Sequence, residues 1–209
     1  MAKHLAKALG YVFIDSGAMY RAVTLYLLRN KISLEEVKKD PSILDKIKIS
    51  FKFNDMSDFF ETYMNDKYIE SDIRSMEVAN FVSEVSTIKE VRDFLVKQQQ
   101  EFSKLKGVVM DGRDIGTKVM PDAELKLFMT ADPIVRARRR YEELLQKQKP
   151  VTFKEVLENI NKRDLIDSTR TESPLTKAVD AIILDNTNMS KEEQSRVALI
   201  WAKGVIAVS

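Results

Sequence analysis

The sequence contains no cysteine, which excludes a disulfide framework and any thiolate metal site. Its single histidine, His4, excludes histidine-cluster metal sites and most Ser-His or Cys-His catalysis. Six glycines and five prolines in 209 residues are too few for fibrous or disordered chains. No apolar run approaches the ~20 residues that cross a bilayer, so no membrane contact is expected. The opening MAKHLAKALGYVFID is broken by Lys3, His4 and Lys7 and is followed by no small-residue cleavage site, so it does not read as a signal peptide. These absences fit a reducing cytoplasm. A net charge of only +2 gives no whole-molecule case for binding a nucleic-acid polymer, so any anion site must be local. What remains is 44% hydrophobic and 32% charged, the make-up of one well-buried globular domain with a small satellite.

The pattern along the chain alternates between strands and helices. Residues 2–9 read as an amphipathic helix stopped by Gly10, and Tyr11 to Ile14 as a buried strand. Helices are expected over 18–29 and over 34–47, the latter interrupted by Pro41. Between 49 and 70 the alternation of Ile49, Phe51 and Phe53, and the turn Asn65-Asp66, predict short antiparallel strands. Helix returns over 75–104. Apolar strands follow at 107–110, 125–129 and 181–184, with helices at 133–148, 152–165 and 190–203 between and after them. Such alternation predicts a parallel α/β sheet covered on both faces, with ligands outside the carboxyl ends of the strands. The loops after Ile14, Met110 and Met129 are therefore the ones to inspect.

The first of these loops reads Asp15-Ser16-Gly17-Ala18-Met19-Tyr20-Arg21. Its helix start can hold an anion through free N–H groups, with Arg21 turning its fork toward the same anion. A plain N-cap with a surface arginine fits these residues equally well. The second loop reads Asp111-Gly112-Arg113-Asp114-Ile115-Gly116-Thr117. An acid ending an apolar strand suits a water-mediated Mg²⁺ contact, here by Asp111. Arg113 between acids calls for an anionic client, the alternative being a solvated turn with local ion pairs. Farther on come Arg136, Arg138, Arg139 and Arg140, then Arg163, Asp164, Asp167 and Arg170. Arg163 and Asp167 are four apart and share a helix face, where an exposed ion pair is the default reading. Arginines from four separate segments, converging on one sheet edge, suit phosphoryl transfer, which needs positioning and spread positive charge more than covalent chemistry.

The segments IDSGAMYRAVT (14–24), MEVANFVSEVS (76–86), VMDGRDIGTKVMPDAELKLF (109–128) and KRDLIDSTRTESPL (162–175) together resemble bacterial cytidylate kinase, in that order and over nearly the whole chain. The resemblance implies an α/β fold of the P-loop nucleoside monophosphate kinase type: a parallel sheet with helices on both faces, plus a small antiparallel acceptor-binding insert. It divides the chain into a core at 1–47 and 87–209, with a lid at about 133–165, and an insert at 48–86. It implies that Ser16, Arg21, Arg113 and Arg170 grip the acceptor phosphate, with Tyr20 lining that site. Ser83, Arg92 and Asp114 are implied as readers of the cytosine edge, and Arg163 and Asp167 as a pair near the sugar hydroxyls. Arg113, Arg163 and Arg170 would carry the catalytic charge. Arg136, Arg138, Arg139 and Arg140 would belong to the lid over the donor phosphates. The implied small molecules are CMP or dCMP, ATP and Mg²⁺, and the implied state is a monomer.

One departure stands out. The family begins with a strand and a Gly-rich loop, G-x-x-x-x-G-K-[ST], whose backbone N–H groups hold ATP. The glycines of this sequence, at 10, 17, 107, 112, 116 and 204, form no such loop. A mis-assigned start codon, a truncated chain and natural loss are the three explanations. In each case the expectation is a fold incomplete at its N-terminus, short of a central strand, and a weak or inactive kinase.

Overall fold

Helix α1 (Ala2–Leu9) ends where the sequence predicts, at Gly10, whose φ of 67° is a left-handed conformation that glycine adopts without strain. The computed structural model describes residues 1–146 and 150–208. Strand β1 (Val12–Asp15) runs directly into helix α2 (Ser16–Asn30), two residues earlier than the apolar pattern suggests, because Asp15 caps the helix by accepting the Ala18 N–H. The 34–47 region splits at Asp40. Helix α3 (Leu34–Lys39) carries a Ser33/Glu36 capping box, and Pro41 opens a separate 3₁₀ turn, Pro41–Lys46.

The antiparallel segment is β2 (Ile49–Asn54), β3 (Phe59–Met64) and β4 (Lys67–Tyr68), paired in that order. Asn65 and Asp66, at φ 50° and 60°, make the two-residue turn between β3 and β4, as their residue types foretell. The long helix expected over 75–104 is two helices, α4 (Met76–Val85) and α5 (Lys89–Ser103), separated at Ser86–Ile88. Next come β5 (Val108–Asp111), a single π turn at Ile115–Val119, and β6 (Leu127–Thr130). Helix α6 covers Pro133–Gln146; the end of the helix expected at 147–148 lies outside the described residues. Helix α7 (Phe153–Thr169), strand β7 (Ile182–Asp185) and helix α8 (Lys191–Ile206) complete the order. Helices α7 and α8 both start on capping boxes, Thr152/Glu155 and Ser190/Glu193.

The expected parallel pairing is present, but as two ribbons. Strand β1 pairs with β5, and β6 with β7, both parallel. Among the described residues no strand joins the two ribbons into one sheet. The expected covering of both faces holds at β1, where Phe13 and Ile14 are buried, and fails at β7, where Ile182 and Ile183 are exposed. The chain forms two compact units, Ala2–Met120 and Pro121–Ser209.

In the first unit the core is built around α2. Met19, Val23 and Leu27 are wholly buried, together with Ile14 of β1 and Val91 and Leu95 of α5. Emptying such a site is expensive; Leu27→Ala there costs about 2–5 kcal/mol. A helix packed this fully cannot shift along its axis without opening voids, so its N-terminus is a fixed platform.

Candidate active site

The β1–β5 register sets the site. Asp15 and Asp111 are paired positions, the last residues of two neighbouring parallel strands. The loops that follow them close on each other. A Cβ placed on Gly112 would lie 2.3 Å from the Ser16 hydroxyl oxygen and 2.9 Å from the Ile115 side chain. A larger residue would force Ser16 or Ile115 to move, and the approach brings the D-S-G and D-G-R-D segments into one place.

Within this place the charges are arranged in pairs. Asp15 Oδ1 accepts the Ala18 N–H at 2.7 Å, and Oδ2 accepts from Arg21 Nη2 at 2.9 Å. Asp111 is pushed up to about pKa 6, by desolvation first and by the Asp15 charge second, against the pull of Arg21 and Arg113. Arg92 and Asp114 form a buried pair, Nη2 to Oδ2 2.5 Å. Arg92 also donates to the Ser86 carbonyl at 3.3 Å, while the Ser86 hydroxyl donates to the Ser83 carbonyl at 2.8 Å. The Arg92 guanidinium lies 5.7 Å from the centre of the Tyr20 ring. Ser16, Tyr20, Arg21, Ser83, Arg92, Asp111, Arg113 and Asp114 thus fall in one connected region of the first unit.

The buried donors of this region are incompletely satisfied. Among the described residues, Nε of Arg21 and Nε of Arg92 are buried without a hydrogen-bond partner. A buried N–H of that kind costs free energy until an acceptor meets it.

In the second unit, Arg136 makes a forked pair with Asp164, at 3.1 and 2.6 Å, and donates through Nε to the Ala131 carbonyl. It therefore ties α6 to α7. Arg139 is committed to the β7–α8 loop, donating to Asn186 Oδ1 and to the carbonyls of Asn186, Thr187 and Met189. Arg140 pairs with Glu143 at 2.7 Å, while Arg138 and Arg163 are exposed. Asp167 approaches Arg170 at 3.6 Å, an i,i+3 pair, and Arg170 Nε donates to the Ser173 carbonyl. Helix α7 extends four residues past its expected end, so Arg163 and Asp167 do share one helix, as their spacing requires.

Three roles escaped the sequence reading. Asp15 reads as a cap, and nothing local marks it as the anchor of Arg21. Ser86 acts through its carbonyl, which carries no residue signature. Arg139 also spends its donors on backbone carbonyls, so its commitment is invisible before folding. No group of three or more His, Asp or Glu side chains that could hold a metal occurs among the described residues.

Comparison with known proteins decides the family. Residues 1–200 match the profile described as "Cytidylate kinase". The chain belongs to the cytidylate kinase family. The cytidylate kinase of Parabacteroides distasonis is 57% identical over 200 residues, covering 93% of this chain and 86% of that protein. The one from Flavobacterium psychrophilum is 51% identical over 202 residues, covering 95% and 89%. That of Flavobacterium johnsoniae aligns with 100% of this chain and 92% of its own length, at 49% identity. As a member of the cytidylate kinase family the chain is a nucleoside monophosphate kinase, a transferase of nucleotide metabolism. No helix of the described residues is long and apolar enough to cross a membrane.

Proposed function

We propose that this protein transfers a phosphoryl group from ATP to CMP or dCMP, giving the diphosphate, and that the acceptor site is the region where the β1 and β5 loops meet. The observation that carries this reading is the Gly112–Ser16 approach, which brings the start of α2, bearing Arg21, close to the loop after β5, bearing Arg113. Ser16, Arg21 and Arg113 grip the acceptor phosphate, and Tyr20 lines the pocket. Ser83, Arg92 and Asp114 read the cytosine edge. Asp114 uses Oδ2 on Arg92, and the remaining lone pairs of its carboxylate can accept from an exocyclic amine, which cytosine offers and uracil does not. Residues 48–86 form the acceptor-binding insert. No general base is required, because the attacking acceptor phosphate is already an anion.

Mg²⁺ is expected to arrive with the ATP phosphates rather than in a protein cage, neutralising charge on the donor. Asp111, at the end of β5, is the side chain proposed for a contact through water.

Of the four lid arginines, Arg136, Arg139 and Arg140 are engaged with protein oxygens, partners they would exchange for donor phosphates. The second reading, a CMP-binding protein without a donor site, rests on the same observation. Calorimetry with CMP, UMP and ATP tests both. CMP binding with UMP at least tenfold weaker supports the acceptor site. ATP binding in addition favours the kinase over the second reading, and equal affinity for CMP and UMP defeats the assignment of Asp114.

A further inference from the structure

We propose that Asp15 is a positioning residue for the acceptor phosphate, holding Arg21 folded back over the first turn of α2 in the pose from which its guanidinium meets that phosphate. The inference deepens the acceptor-site reading above and rests on it.

A helical side chain leans toward the N-terminus of its helix, so Arg21 naturally lies over the turn that contains Gly17. The space for it is kept by that glycine: a Cβ on Gly17 would stand 3.1 Å from Arg21 Nη1 and 3.1 Å from Asp15 Oδ1. Asp15 then clamps the guanidinium through Nη2 while its other oxygen caps the helix. One carboxylate fixes both the anion-attracting end of α2 and the arginine beside it. Arg92 shows the same construction, with Nη2 held by Asp114 and a buried Nε without a partner. In both arginines the anchoring acid takes one nitrogen; Arg92 spends Nη1 on the Ser86 carbonyl, whereas Arg21 Nη1 makes no hydrogen bond among the described residues.

A carboxylate this near also repels a phosphate, so the clamp must gain more by preorganisation than it loses by charge. Two features favour the gain. Asp15 binds only one nitrogen of the guanidinium, and an unclamped Arg21 would regain the rotamer freedom of a long side chain.

The test uses the 209-residue chain with Asp15→Asn and Asp15→Ser, both of which keep a capping oxygen for the Ala18 N–H. Affinities for CMP and for cytidine, which lacks the phosphate, are measured by calorimetry with and without Arg21→Ala. The expected result is a roughly tenfold loss of CMP affinity in the Asp15 variants, an unchanged affinity for cytidine, and no further loss when Arg21 is already alanine. Equal losses for CMP and cytidine, or a loss that persists without Arg21, would mean general damage and overturn the proposal. Full CMP affinity in both Asp15 variants, with Arg21→Ala weakened, overturns the positioning role alone. If Arg21→Ala leaves the CMP-to-cytidine ratio intact, the acceptor-site reading and this proposal fall together.

Discussion

Arg92 and Asp114, 22 residues apart, meet in a buried ion pair in which neither side chain is more than 6% exposed. Burying two charges is repaid only when geometry and further hydrogen bonds are good, and removing one partner strands the other. Arg92→Ala or Asp114→Ala should therefore lower unfolding free energy by about 3–5 kcal/mol in a urea titration. Replacing both by residues of matching volume should cost clearly less than either single change. Equal or additive losses would show that the pair is not the unit that matters.

Glycines 112 and 204 should respond in opposite directions to the same methyl group. At Gly112 the new Cβ meets Ser16 Oγ at 2.3 Å and Ile115 at 2.9 Å. Gly112→Ala must displace the Ser16 and Ile115 side chains, at a cost of about 1–3 kcal/mol, and should weaken CMP binding with it. Gly204 lies inside α8 with nothing within 4 Å of a built Cβ. Gly204→Ala should raise stability by about 0.5–1 kcal/mol, through lower unfolded-state entropy and better helix propensity. Thermal melts of the two variants provide the check.

Much of the secondary structure was legible because its signals are local. Gly10 and the Asn65-Asp66 turn rest on neighbouring residues and came out as read, while β1 and β5 lie one residue later than expected and β1 runs straight into α2. What was not legible depends on distant partners. Apolar content predicts a strand at 181–184 in a covered sheet, but burial depends on what packs against each strand: Phe13 and Ile14 of β1 are buried, while Ile182 and Ile183 of β7 are uncovered. The acid–arginine pairing was equally hidden. A sequence shows that Arg21, Arg92, Asp15 and Asp114 carry charge, while only the register of β1 on β5 and the packing of α5 decide which of them meet.

Arg138 and Arg139 are neighbours in sequence and similar on paper, yet they should separate cleanly on mutation. Arg139 supplies donors to four oxygens of the 186–189 loop, whereas Arg138 is exposed and, among the described residues, has no hydrogen-bonding or ion-pair partner. Arg139→Ala should destabilise by roughly 1–3 kcal/mol because three carbonyls and an amide oxygen lose their donor. Arg138→Ala should stay within about 0.5 kcal/mol of the parent. If the two variants melt together, the bonds of Arg139 to the loop do not persist in solution.

Asp111 should make stability fall with rising pH in a window where most carboxylates do the opposite. Its pKa is about 6 in the folded chain, against an ordinary 3.8, because the surroundings desolvate the carboxylate and Asp15 faces it across the strand register. Between those two values the folded state binds more protons than the unfolded state, so the stability contributed by this group declines as pH rises from about 4 to about 6. Above that window the unfavourable charge is fully present. Asp111→Asn removes it while keeping the shape, so the variant should melt at a higher temperature than the parent near pH 7.5, with the gap shrinking toward pH 4. The direction of that change is the informative part. A gap that widens on acidification would mean that Asp111 is stabilised as an anion by Arg21 and Arg113, and that Asp15 and desolvation are the weaker influences.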